Sequence, residues 1–137
     1  MNFVSIRVIT DDVKRLVQFY EQVTGLSPKW STEDFAELAS PSSLLAIASK
    51  RTMEMFGASA AHPADNHTVI IEFRVNDVDK EYEKLKNIIS ELVKEPTTMP
   101  WGNRSLLFRD PDGNLINFFT PTVASAIQKD EHSRPLL

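Results

Sequence analysis

One local order of residues occurs twice in this chain and limits what it can fold into. Between Phe3 and Ile9, Val4, Ile6 and Val8 alternate with Ser5, Arg7 and Ile9, the period of a strand with two different faces. Thr10, Asp11 or Asp12 caps the next segment, where Val13, Val17 and Tyr20 recur at helical spacing, Leu16 and Val23 widen the apolar stripe, and Gly25 stops the helix after Thr24. From His67 the order starts again. Ile71, Phe73 and Val75 alternate with Ile70, Glu72 and Arg74, Asn76 or Asp77 caps, and Val78, Tyr82 and Leu85 repeat the helical spacing, with an extension through Ile88 and Ile89. Asp12-Val13 and Asp77-Val78 thus mark the same point in two strand–helix units.

Each unit is followed by three more strand patterns. In the first half these are Ser27–Trp30, Phe35–Ser40 and Leu44–Ser49, punctuated by the polar turns Ser31–Asp34 and Pro41–Ser43; in the second they are Leu92–Thr98, Arg104–Arg109 and Leu115–Thr120. The expectation is an α+β fold of two βαβββ modules, over about 3–49 and 67–121. The connector 50–66 carries Met53, Met55, Phe56, Gly57 and Pro63 without a strand period and reads as a loop with a short helix. Duplication has a physical consequence, because one such module exposes an apolar sheet face that needs covering.

At 137 residues, with 42% apolar and 25% charged residues, the chain suits one globular domain over residues 1–121, followed by a polar tail, 122–137, that is either frayed or an arm on a partner subunit. A net charge of −4 without a basic cluster argues against a nucleic-acid partner, and the absence of cysteine removes thiolate ligands, disulfides and cysteine nucleophiles. No apolar run approaches the length of a membrane span, and no basic-then-apolar leader precedes Phe3; a soluble, cytoplasmic protein without a membrane partner is expected. No Gly-rich phosphate loop and no Gly-x-Ser-x-Gly elbow is present.

The last two strands enclose Asp110-Pro111-Asp112-Gly113, which has the residue types of a tight turn: a preset φ at Pro111, side chains at Asp110 and Asp112 that bond their own backbone, and a glycine free to take positive φ. Placed behind Pro100-Trp101-Gly102-Asn103-Arg104, the string Phe108-Arg109-Asp110-Pro111-Asp112-Gly113-Asn114-Leu115-Ile116 resembles the C-terminal hairpin of the vicinal-oxygen-chelate superfamily, which holds glyoxalases, extradiol dioxygenases and bleomycin-resistance binding proteins. The resemblance implies a cup-shaped, curved mixed sheet with the helices outside, and a homodimer. It also implies metal-ligand positions: one near the start of each module's first strand, Ser5 and Ile70, and one on each last strand, Ile47 and Asn117. Those four offer no imidazole and no carboxylate, and two of them have no donor atom, so the resemblance is to a branch that uses no metal and no other cofactor. His62, His67 and His132 fall in the connector, off the strand face and in the tail.

If Ser5 and Ile70 face the cup, strand alternation puts Arg7, Ile9, Glu72 and Arg74 on the same side. Arg7, Glu72 and Arg74 then either satisfy one another or anchor a ligand carboxylate or phosphate. Trp30, Trp101, Phe35 and Phe119 supply flat apolar surface, as core or as a ligand platform, and Met53, Met55 and Phe56 serve either as a lid or as gap filler. The reading is a metal-independent protein that binds a small molecule, aromatic or charged, through Ser5, Arg7, Trp30, Ile70, Glu72, Arg74, Trp101, Asn117 and Phe119, similar in kind to the bleomycin-resistance proteins. The alternative is a divalent-metal lyase, isomerase or dioxygenase of the glyoxalase type.

Overall fold

The structure, a computed structural model, describes residues 1–122; the tail named above lies outside the described residues. It contains two compact units, Met1–Asn66 with the turn Pro111–Gly113, and His67–Asp110 with the chain from Asn114 on. In the first, β1 (Ile6–Thr10), α1 (Val13–Thr24), β2 (Lys29–Thr32), β3 (Phe35–Ala39) and β4 (Leu44–Ser49) follow in order, then a 3-10 helix at Lys50–Met55. In the second come β5 (Ile70–Arg74), α2 (Val78–Leu85), β6 (Glu91–Thr98), β7 (Asn103–Arg109) and β8 (Leu115–Pro121). The sheets are four-stranded and mixed, ordered β1-β4-β3-β2 and β5-β8-β7-β6, with the module's first and last strands parallel in each. The fold is α+β, two βαβββ modules with open sheets.

The strand–helix openings have matching chemistry. Asp12 accepts a hydrogen bond from the Arg15 backbone N–H at 3.1 Å and Asp77 from that of Lys80 at 3.1 Å, each satisfying a donor that the helix start leaves free. Gly25 closes α1 at φ 74°, where its N–H reaches the Glu21 carbonyl at 2.9 Å. The second helix is shorter than its apolar spacing suggests. It ends at Leu85, whose carbonyl accepts from both Ile88 and Ile89 N–H at 2.8 Å in a closing turn, where Asn87 and two β-branched residues give the helix little support.

Strand limits follow their partners. β1 begins at Ile6, which pairs with Leu45, and the expected first residues of the strand, Phe3–Ser5, lie outside it. β2 runs through Ser31 and Thr32 with a register shift after Trp30, so the expected four-residue turn narrows to Glu33-Asp34.

Each sheet buries one face under its helix side. In the first unit Ala36, Leu38, Leu45 and Ile47 are buried, as are Leu16, Val17 and Tyr20 of α1; in the second Leu106, Phe108, Ile116 and Phe118 are buried with Val78 and Leu85 of α2. Phe118 sits edge-on to Phe73 and to Phe108, with centroids 5.5 and 5.2 Å apart. The opposite faces carry the polar residues of interest.

Candidate functional site

The registers decide which side chains share a face. In the second sheet Glu72 lies beside Asn117, Asn117 beside Leu107, Ile70 beside Leu115, and Arg74 beside Phe119 and Phe119 beside Ser105. Alternation therefore places Ile70, Glu72 and Arg74 of β5 with Leu115, Asn117 and Phe119 of β8 on the face away from Ile116 and Phe118. At its centre the Asn117 Nδ2 donates to the Glu72 Oε2 at 2.9 Å. Because a carboxylate only accepts, this contact fixes the amide orientation, and the Asn117 Oδ1 points away from Glu72. That oxygen is buried and accepts no hydrogen bond, in a side chain only 8% exposed. Glu72 is half-buried and Ile70 is 47% exposed, so polarity and access increase toward the edge strand β5.

In the first sheet Arg7 lies beside Ala46, and Ala46 beside Glu37; Phe35 lies beside Ala48 and Ala48 beside Ile9. This face has an apolar floor of Ile9, Ala48 and Met53 with Phe35 and Ala61 packed on it. The Arg7 guanidinium lies over the Phe35 ring at 5.0 Å and over the Phe56 ring at 5.7 Å, so two aromatic faces hold its plane while its N–H edges remain available. Met53 is core, whereas Met55 and Phe56 are exposed.

Other expected residues lie apart from these centres. Ser5 is exposed and precedes β1. Trp30 pairs with Ala36 and so belongs to the face opposite Arg7; Trp101 is 60% exposed in the turn between β6 and β7. Ile47 is fully buried on the helix side of its sheet, where alternation directs it away from Arg7. The last hairpin is tied as its turn residues suggest, with Asp110 accepting from the Asn114 backbone N–H at 2.9 Å; what the sequence reading missed is the second, side-chain bond from Asn114 Nδ2 at 2.8 Å. The signal was present in the acidic residue five positions before Leu115, at the point where the turn must satisfy its own donors.

Two surface clefts are lined by charges, several of them paired with one another. One, of about 430 Å³, has Lys50 at 3.6 Å from Asp11 and Arg51 at 2.7 Å from Asp34; the Arg51 guanidinium holds the Asp34 carboxyl below the usual carboxylate range. The other, of about 600 Å³, lies along α2, where Lys84 meets Glu81 at 3.1 Å. Neither joins the faces above.

The donor set does not fit a divalent metal. Ser5, Ile47, Ile70 and Asn117 include two hydrocarbon side chains, and among the described residues no three of His, Cys, Asp and Glu come together as a ligand group. No helix among the described residues is long and apolar enough to cross a membrane.

Comparison with known proteins agrees with this architecture. An uncharacterised protein of Bacillus subtilis (strain 168), YraH, is 29% identical over 125 residues, covering 87% of this chain and 98% of its own. A solved glyoxalase/bleomycin resistance protein/dioxygenase family enzyme from Burkholderia phytofirmans superposes with a TM-score of 0.76 at 18% identity, over 85% of this chain and 96% of that one. A protein of unknown function from Agrobacterium tumefaciens gives 0.76 at 24% identity, over 88% and 94%. The sequence profile of one family matches residues 2–118, and on that match the chain belongs to the glyoxalase/bleomycin resistance protein/dioxygenase superfamily.

Proposed function

We propose that this protein is a metal-independent, cytoplasmic small-molecule-binding member of its superfamily. One observation carries the reading: at the centre of a helix-free sheet face an amide, Asn117, bonds the Glu72 carboxylate at 2.9 Å and leaves its own oxygen without a partner. A buried acceptor left open costs about 1–3 kcal/mol, which a ligand donor relieves. The apolar neighbours Leu107, Leu115 and Phe119 on that face would hold the ligand's body. On the first sheet, Arg7 between Phe35 and Phe56 is a separate anchor suited to an acceptor-bearing or planar group.

The test is metal content beside ligand screening. Protein equilibrated with Mn, Fe, Ni and Zn and then desalted is expected to retain less than about a tenth of an equivalent of any of them, while a library of small aromatic and charged compounds raises its melting temperature. Near-stoichiometric retention of one metal would overturn the reading and put a glyoxalase-type lyase or dioxygenase in its place.

A homodimer is part of the proposal. Ile6 on the edge strand β1 and Val4 just before it are apolar and exposed, surface that a second copy would cover. Sedimentation is expected to give twice the 15.5 kDa chain mass; a monomer at micromolar concentration would refute it.

A further inference from the structure

We infer that the helix-free face of the second sheet recognises an organic cation with N–H donors, an alkylammonium, arylammonium or amidinium group, through the Glu72 carboxylate and the Asn117 Oδ1. The inference rests on the small-molecule reading above and assigns the ligand's polar group.

The argument is an inventory of donors and acceptors. One N–H of the Asn117 amide is spent on the pair itself, since Asn117 Nδ2 binds Glu72 Oε2. What remains at the pair is mostly acceptor: the other lone pairs of the carboxylate, about four sites in all for such a group, and the buried Asn117 Oδ1, against the one further N–H of the amide. Glu72 forms no ion pair among the described residues. Of the cations that alternation puts on this face, Arg109 is held by Glu91 at 3.2 Å, and Arg74 stands one step along β5 beside Phe119. A half-buried carboxylate without a counter-charge is unfavourable by itself, and a ligand cation removes that cost.

Competing ligand chemistries fit less well. A carboxylate or phosphate would set anion against anion at Glu72. A lone hydroxyl brings one donor to at least two open acceptors and no charge. An ammonium brings three donors and an amidinium brings four, enough to bridge both residues, and bonds to ionised groups are roughly twice as strong as neutral ones. Leu107, Leu115 and Phe119 share the face, so the cation should carry an apolar body, with entry along β5 where Ile70 is exposed.

The experiment is a titration of the isotope-labelled full chain with three probes of one shape, benzylammonium, benzyl alcohol and benzoate, followed by amide chemical shifts. Benzylammonium is expected to shift the Asn117 side-chain NH₂ and the Glu72 backbone signal, and to bind about ten- to a hundredfold more tightly than benzyl alcohol. Glu72→Gln, which keeps the shape, should remove the advantage of benzylammonium over benzyl alcohol; Asn117→Leu should weaken benzylammonium as well. Equal or tighter binding of benzoate, or an unaltered benzylammonium affinity in Glu72→Gln, overturns the cation assignment while leaving small-molecule binding intact. No shift on this face with any probe also overturns the assignment, and the thermal screen then judges the broader reading separately. Shifts at Glu72 and Asn117 that require a divalent metal overturn both.

Discussion

Asn117→Leu is the perturbation that most directly separates a binding face from a structural one. Leucine keeps the heavy-atom skeleton of asparagine, a branched γ-carbon with two substituents, so the exchange alters polarity more than shape. The variant loses the 2.9 Å bond to Glu72, worth about 1.5 kcal/mol at the low end for a charged acceptor, because half-buried Glu72 regains water. It also loses the buried oxygen that nothing satisfies, a gain of about 1–3 kcal/mol, and it buries leucine at a position 8% exposed, a gain of about 1.5 kcal/mol or more. After an allowance for packing strain the net is about 1–2 kcal/mol of added stability, or roughly 2–4 °C in melting temperature per kcal/mol for a chain of this size. Urea denaturation with an unchanged m-value measures it. A loss of more than about 1 kcal/mol would refute the reasoning, because it would mean that the amide oxygen has a structural partner.

Other outcomes follow from the same geometry. Asp110→Ala should destabilise by about 2–4 kcal/mol in urea denaturation, since it removes the carboxylate that accepts from both the Asn114 backbone N–H and Nδ2 in a buried turn; an effect below about 1 kcal/mol would refute this. Gly25→Ala should lose about 1 kcal/mol by the same assay, purely from its φ of 74°, because an added Cβ meets nothing within 4 Å. Asp79 is held below its ordinary value by the two-pronged contact with Arg104, at 2.8 and 3.0 Å. Its folded-state value is depressed, so its contribution is present above about pH 4 and is lost as pH falls through the folded value; Arg104→Lys should flatten that acid limb in denaturation midpoints. Tyr82 is raised, first by burial and then by its 3.2 Å bond to Glu95, so its contribution holds below about pH 10 and is lost as pH rises through the folded value. Ultraviolet titration should show Glu95→Gln ionising earlier than the native chain.

Local chemistry settled much of this molecule. Asp12 and Asp77 cap helices wherever such residues precede an apolar helical stripe, Gly25 ends one because only glycine takes its φ without strain, and alternation in β1, β5 and β8 assigns faces from residue identity alone. Those signals act over a few residues, so the duplicated modules and the shared side of Ile70, Glu72 and Arg74 within one strand could be read from the chain. Partnership across the sheet could not. Where β1 starts depends on which residues pair with β4, the face of Trp30 depends on its pairing with Ala36, and Ile47 lies on the helix side of its sheet, away from Arg7. The Glu72–Asn117 bond joins residues 45 positions apart, and it turns the amide so that the Asn117 oxygen, which has no partner, lies away from Glu72. Sequence supplied the donors and acceptors; the pairing of β5 with β8 decided which of them were left for a ligand, because hydrogen-bond satisfaction is a property of neighbours in space.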